Sequence, residues 1–194
     1  MMNRREALRG LAWLLGGACS ASTLSAVLAG CRPTGTPFVP KTLSAAQFEQ
    51  VGRLVDLIIP PTDTPGAREA GVPELIDGLL ADWATDAEKA QFLAGLADVE
   101  IRSQQAFGKP FVAGTPEEQT RLLTTLEEEA AATEPPVPDP ENTFAPAFFT
   151  VLKGLTLAGY YTSEVGATQE LRWIAAPGRY EGDLPYAEVG RAWA

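Results

Sequence analysis

Ser44-Ala45-Ala46-Gln47-Phe48-Glu49-Gln50-Val51-Gly52-Arg53-Leu54-Val55-Asp56-Leu57-Ile58-Ile59 is the stretch that decides the fold class. Ser44 supplies a side-chain oxygen where a helix needs an N-cap acceptor. Phe48, Val51, Leu54, Val55 and Ile58 then recur at spacings of three and four, which places them on one face of a helix. Pro60-Pro61 ends it, because proline has no N–H to donate and its ring clashes with the preceding turn. The segment from Pro61 through Asp63, Thr64, Pro65 and Gly66 to Ala67 is dense in turn formers and reads as a loop.

The same pattern repeats downstream. Pro73 suits the first turn of a second helix, with Leu75, Ile76, Leu79, Leu80 and Trp83 as its apolar stripe. Thr85 or Asp86 caps a longer helix that runs to Phe107, with Phe92, Leu93, Leu96 and Val99 inward, and Gly108-Lys109-Pro110 stops it. Thr115-Pro116-Glu117-Glu118 is a capping box with proline at the first helical position, and Leu122, Leu123 and Leu126 follow at helical spacing. Glu127, Glu128 and Glu129 read as a solvated face. Thr133 to Thr143, with four prolines, reads as a surface connector. A last strong helix is expected from Phe144 to Tyr161. No segment shows sustained alternation, so the fold class is all-α, a bundle of about five main helices with an irregular aromatic-rich C-terminal tail.

The last helix carries one charge, Lys153. Phe144, Phe148, Val151, Leu152 and Leu155 form one stripe, and Phe149 and Leu157 fall outside it. A helix apolar nearly all round is buried on most sides. It is either the central helix of the domain or a helix whose outer face meets another protein. On the second reading the partner-facing residues are Phe149, Leu157, Tyr160, Tyr161, Trp173 and Tyr180. Aromatic side chains near Arg172, Arg179 and Arg191 have the composition of interface anchors.

The first 30 residues read as an export signal. Arg4 and Arg5 stand together before a weakly apolar run, Leu11 to Ala29, and paired arginines are the twin-arginine signature. The run is 19 residues long, enough to span a bilayer, but it holds two glycines, three serines and a threonine. Leu28-Ala29-Gly30-Cys31 resembles a bacterial lipobox, in which Cys31 is lipidated and becomes the first mature residue. The expected organisation is a signal over 1–30, a Pro/Thr/Gly-rich tether over 31–42 and a helical domain over 43–194. The expected location is the periplasmic side of a membrane, held by lipid.

Composition narrows the chemistry. Residues 1–30 carry Arg4, Arg5 and Arg9 against Glu6, so the remaining 164 residues hold 12 basic and 24 acidic side chains. A surface with a net charge of about −12 repels phosphates, which excludes nucleic-acid binding. The chain has no histidine, which excludes Ser-His-Asp and Cys-His hydrolysis, a histidine general base and histidine-held zinc, copper or haem. Its two cysteines are Cys19, inside the signal, and Cys31. If Cys31 is lipidated, the mature domain has no thiol for a disulfide, a cluster or a haem attachment. No GxGxxG follows a strand and no phosphate loop is present. Asp56 and Asp63 flank the Pro60-Pro61 turn and could act as an acid–base pair, but loop-capping by Asp63 accounts for the placement better.

Four blocks together are similar to the gluconate 2-dehydrogenase subunit 3 family: Leu57 to Ala67, Phe92 to Leu96, Gly159-Tyr160-Tyr161-Thr162-Ser163-Glu164, and Ala176-Pro177-Gly178-Arg179-Tyr180-Glu181-Gly182. The resemblance extends over roughly Leu43 to Pro185. It implies a small accessory subunit with no catalytic residues or cofactor of its own. The implied partner is a large FAD-dependent dehydrogenase subunit of the glucose–methanol–choline type, which oxidises a sugar or alcohol. A multihaem cytochrome c subunit often takes the electrons in such complexes. The small subunit is implied to serve maturation and export of the large one. The competing reading from the residues alone is a free-standing helical lipoprotein that binds a ligand.

Overall fold

The computed structural model describes residues 38–133, 146–174, 178 and 182–193. The chain divides into two units, Met1–Phe38 and Val39–Ala194. The twin-arginine pair, Cys31 and the proline-rich connector lie outside the described residues. Within the second unit five helices of eleven residues or more follow one another: α1 Ala45–Ile58, α2 Val72–Asp82, α3 Asp86–Phe107, α4 Pro116–Thr133 and α5 Phe148–Thr162. A 3-10 turn at Phe111–Ala113 precedes α4, a π turn at Gly166–Glu170 follows α5, and a short helix α6 spans Tyr186–Val189. Among the described residues there is no strand, only an isolated bridge between Arg172 and Trp193. The fold is all-α.

Three of the helices begin on reciprocal capping boxes. The Ser44 hydroxyl accepts from Gln47 N–H at 3.3 Å while Ser44 N–H donates to Gln47 Oε1 at 2.9 Å. Thr85 and Glu88 repeat the exchange for α3, and Thr115 and Glu118 for α4. Each box satisfies two backbone donors that a helix start leaves without partners. Gly108 closes α3 in the left-handed conformation, φ 68°, where a side chain would be strained.

Helix α5 is the hub, packing against each of α1, α2, α3 and α4. The fully buried set includes Val51, Leu54 and Val55 from α1, Ile76 from α2, Val99 from α3 and Leu152 from α5. The polar side chains buried in this core are paired, while half-buried Glu74 keeps one carboxylate oxygen out of water without a hydrogen bond. Gln50 Nε2 donates to Leu96 O at 2.9 Å, and Gln119 joins Arg53 Nε to the Phe111 carbonyl. Asp77 clamps the start of the domain onto α2, its carboxylate accepting the backbone N–H groups of Lys41, Thr42 and Leu43 at 2.7, 3.0 and 2.8 Å. Burial pushes the Asp77 carboxyl up, but the three N–H donors and Lys41 outweigh it and hold the group below its ordinary value.

Two parts of the expected core stripe on α2 sit elsewhere. Leu75 is exposed, and Trp83 is 84% exposed. The helix ends at Asp82, and Trp83 leaves helical geometry at φ −124°, so its indole no longer follows the buried face. The glutamate run Glu127–Glu129 is exposed as expected, yet two of its members bind: Glu127 to Lys153 at 2.7 Å and Glu129 to Arg102 at 2.8 Å.

Candidate partner interface

The loop after α1 and the end of α5 meet in space. Tyr160 O–H donates to Pro65 O at 3.0 Å. Thr64 Oγ1 lies 3.3 Å from the same phenol oxygen and donates to Glu170 Oε2 at 3.1 Å. The loop is tied back by Ala67 N–H to Ile59 O at 3.0 Å and by Arg68 N–H to Asp56 Oδ1 at 3.0 Å. The cap of this loop is therefore Asp56, whereas Asp63 only accepts from its neighbour Thr62. Asp56 reaches back from the last turn of α1, a direction that sequence adjacency does not reveal. The acid–base pairing of Asp56 with Asp63 gains nothing from this arrangement, since Asp56 is engaged by backbone.

Glycine is required at two contacts of this junction. A Cβ on Gly66 would stand 2.8 Å from Pro61 N and 2.9 Å from Asp56 Oδ1. A Cβ on Gly166 would overlap the backbone carbonyl of Tyr160. Both clashes involve backbone atoms that cannot step aside, so these glycines let the loop close and the π turn pack on the end of α5.

The six residues expected to face a partner divide. Phe149 and Tyr160 are core residues, 7% and 1% exposed, and present no surface. Leu157, Tyr161 and Trp173 are at the surface, 38%, 41% and 58% exposed. Tyr180 lies outside the described residues. The correction has a clear cause. The buried stripe of α5 is Phe149, Leu152, Thr156, Gly159 and Tyr160, and two of its members are not large apolar residues. Thr156 is tolerated inside because its hydroxyl donates to Leu152 O at 2.7 Å, within its own helix. Hydrophobic periodicity therefore favoured the neighbouring stripe, Phe148, Val151 and Leu155, which is only partly buried.

That neighbouring stripe lines an open apolar groove of about 320 Å³, whose other wall comes from Leu79 and Trp83 and whose floor includes Phe92. Round the helix from the groove, Gly154, Leu157, Ala158 and Tyr161 are exposed and uncharged. Lys153 stands at the edge, paired with Glu127 and 5.4 Å from the Phe149 ring centroid. Helix α5 itself carries no carboxylate, in a chain that has 25 of them; those beside it are Glu127, on Lys153, and Glu88, in the groove lining. Among the described residues no helix is long and apolar enough to cross a membrane, and no three His, Cys, Asp or Glu side chains are grouped to hold a metal.

These features define an all-α domain built round one central helix, with an interlocked loop at one end of it and an uncharged outer face. The family described as Gluconate 2-dehydrogenase subunit 3 matches residues 45–178. The chain belongs to that family, and with it to the small subunits of a dehydrogenase complex. No curated protein and no solved structure matches the chain. The matched span contains both partners of the Tyr160–Pro65 contact, so two of the four sequence blocks that resemble the family are halves of one structural junction.

Proposed function

We propose that this chain is the non-catalytic small subunit that escorts, stabilises and exports a FAD-containing dehydrogenase subunit of the glucose–methanol–choline type. On this reading Arg4 and Arg5 direct the folded pair to the twin-arginine route, and lipid on Cys31 helps hold it on the periplasmic side of the membrane. The flavin belongs to the partner, as does any c-type haem, in a further cytochrome subunit. The chain itself supplies a docking surface. The observation that carries this reading is the outer side of α5, where Leu157 and Tyr161 are exposed and the groove beside Trp83, with Glu88 among its otherwise mostly apolar lining, leaves apolar area uncovered. Exposed apolar patches of this kind mark interaction sites. The Tyr160 junction fixes the end of α5, so the surface is presented on a rigid element.

The test is purification of the chain under mild detergent from the cells that make it. The expected result is a stoichiometric larger polypeptide with flavin absorption, and no visible absorption remaining with the small chain once the two are separated. A chain that purifies alone, or one that keeps the chromophore, overturns the proposal.

A further inference from the structure

The C-terminal segment closes on itself beside the π turn. Arg172 and Trp193 form a parallel bridge, with Arg172 N–H donating to Ala192 O at 2.8 Å. Arg172 Nη1 donates to Val189 O at 3.1 Å, and its guanidinium lies 4.7 Å from the Trp193 ring centroid. Arg191 Nη1 donates to the Gln169 carbonyl. Between these two stretches opens a shallow cleft of about 500 Å³ lined by Thr168, Leu171, Trp173 and Val189, with Arg172 and Arg191 on its walls.

The cleft is basic. Among the described residues no carboxylate lines it, although acidic residues outnumber basic ones by 25 to 15 in the whole chain. Lys41, Arg68, Arg102, Lys109 and Lys153 each pair with a carboxylate. Among the described residues, Arg172 and Arg191 are held by carbonyls and an indole instead. A guanidinium carries five donors in a planar fork, and one carbonyl engages only a small part of it. The surrounding segment does not spend its apolar side chains on a core of its own. Trp173, Ile174, Leu184, Tyr186 and Trp193 are all exposed, and α6 buries none of its residues.

We propose that this cleft receives a carboxylate side chain of the partner flavoprotein, gripped by Arg172 and Arg191 and flanked by an apolar residue that packs on Trp173 and Trp193. The inference rests on the function proposed above and adds the chemistry of the contact. Charge complementarity selects the occupant: two guanidiniums that pair with no carboxylate among the described residues favour an anion, and tryptophan with arginine is the composition of interface hot spots. A single acidic side chain fits better than an anionic bilayer. Asp183 and Glu188 are exposed on the same segment, and a flat anionic surface would meet them together with the arginines. The Val189–Trp193 wall lies beyond the residues that match the family, so the cleft is a place where this chain can distinguish its own partner.

The test measures affinity of the full mature chain for the flavoprotein that co-purifies with it, at low and at high ionic strength. The Arg172→Gln/Arg191→Gln variant is expected to bind at least roughly tenfold more weakly at low salt, with a flatter salt dependence. Because those arginines also pin the segment, Thr168→Glu is the second variant. It leaves both pins in place and puts a competing carboxylate into the cleft, and it is expected to weaken binding to a similar degree. Wild-type affinity and salt slope in both variants overturn the inference while leaving the proposed function intact. A wild-type chain that does not bind the flavoprotein at all overturns the proposed function itself, and the inference with it. If the variants keep the flavoprotein but detach from vesicles containing phosphatidylglycerol, the cleft is a lipid site and the inference is wrong.

Discussion

Tyr160 and Tyr161 are neighbours in sequence with opposite fates, and truncating each separates the core of the subunit from its proposed interface. Tyr160 is 1% exposed and donates to Pro65 O at 3.0 Å. Truncating a large buried aromatic costs about 3–5 kcal/mol in lost burial and cavity formation, and the orphaned Pro65 carbonyl adds about 1 kcal/mol. For a domain of this size each kcal/mol moves the melting temperature by roughly 2–4 °C, so Tyr160→Ala is expected to lower it by on the order of 10 °C. Tyr160→Phe keeps the ring and loses only the hydroxyl, and is expected to cost about 1 kcal/mol. Tyr161 is 41% exposed, and its ring meets that of Tyr160 edge-on at 5.3 Å. That contact is worth about 0.5–1.5 kcal/mol, so Tyr161→Ala shifts melting by only a few degrees. Its effect is expected on the partner instead, a loss of at least roughly tenfold in affinity, since about 1.4 kcal/mol is a factor of ten. Thermal melts of the lone subunit and titration against the flavoprotein read the two effects separately. A Tyr160→Ala subunit that melts like wild type refutes the core assignment. A Tyr161→Ala subunit that is strongly destabilised yet binds normally refutes the interface assignment.

Asp77→Ala is expected to destabilise the domain by about 2–4 kcal/mol, because three backbone N–H groups lose their acceptor. Since the folded-state pKa of Asp77 lies below the ordinary 3.8, its contribution is full above the unfolded value and is lost as pH falls through the lower folded value. Urea melts of wild type should therefore weaken in that acid window more steeply than those of Asp77→Asn. Gly66→Ala forces a Cβ against Pro61 and Asp56 and is expected to cost about 1–3 kcal/mol by urea denaturation, with Gly71→Ala as the comparison for a glycine whose cost is backbone strain alone. Changing Arg4 and Arg5 together to Lys is expected to leave precursor in the cytoplasm on fractionation; normal export of that variant contradicts the twin-arginine proposal. Mass spectrometry of the mature N-terminus is expected to find a lipid-modified Cys31, and cleavage at another position contradicts lipid anchoring.

Local signals made much of the fold legible. Ser44, Thr85 and Thr115 each mark a helix start within a few atoms of backbone, so their role is readable from spacing alone. The apolar stripes of α1, α3 and α4 are regular because each packs one face inward. Helix α5 defeats that logic, because a hub helix is buried by four neighbours and its inward line runs through Thr156 and Gly159. Trp83 departs from the stripe because the turn at its own residue, rather than its apolarity, sets where the indole goes. The Asp77 clamp was invisible for a different reason: its donors lie 34 to 36 residues away in sequence, and no motif records a long-range carboxylate–backbone contact. Leu157 stands out by falling off the apolar stripe, and Tyr161 and Trp173 by composition, which reports what a surface offers and not where it lies. Arg172 and Arg191 are legible in the sequence as companions of the aromatic residues, but only the bridge to Trp193 brings them to one cleft.

The central claim is that the partner depends on this chain to leave the cytoplasm, and deleting the chain tests it most directly. Fractionated cells are assayed for the flavoprotein by its mass and flavin absorption. The account predicts that without this chain the flavoprotein stays in the cytoplasm or is degraded, and that restoring the chain in trans returns it to the periplasmic side of the membrane. A flavoprotein that is exported and flavin-loaded in the absence of this chain would contradict the account.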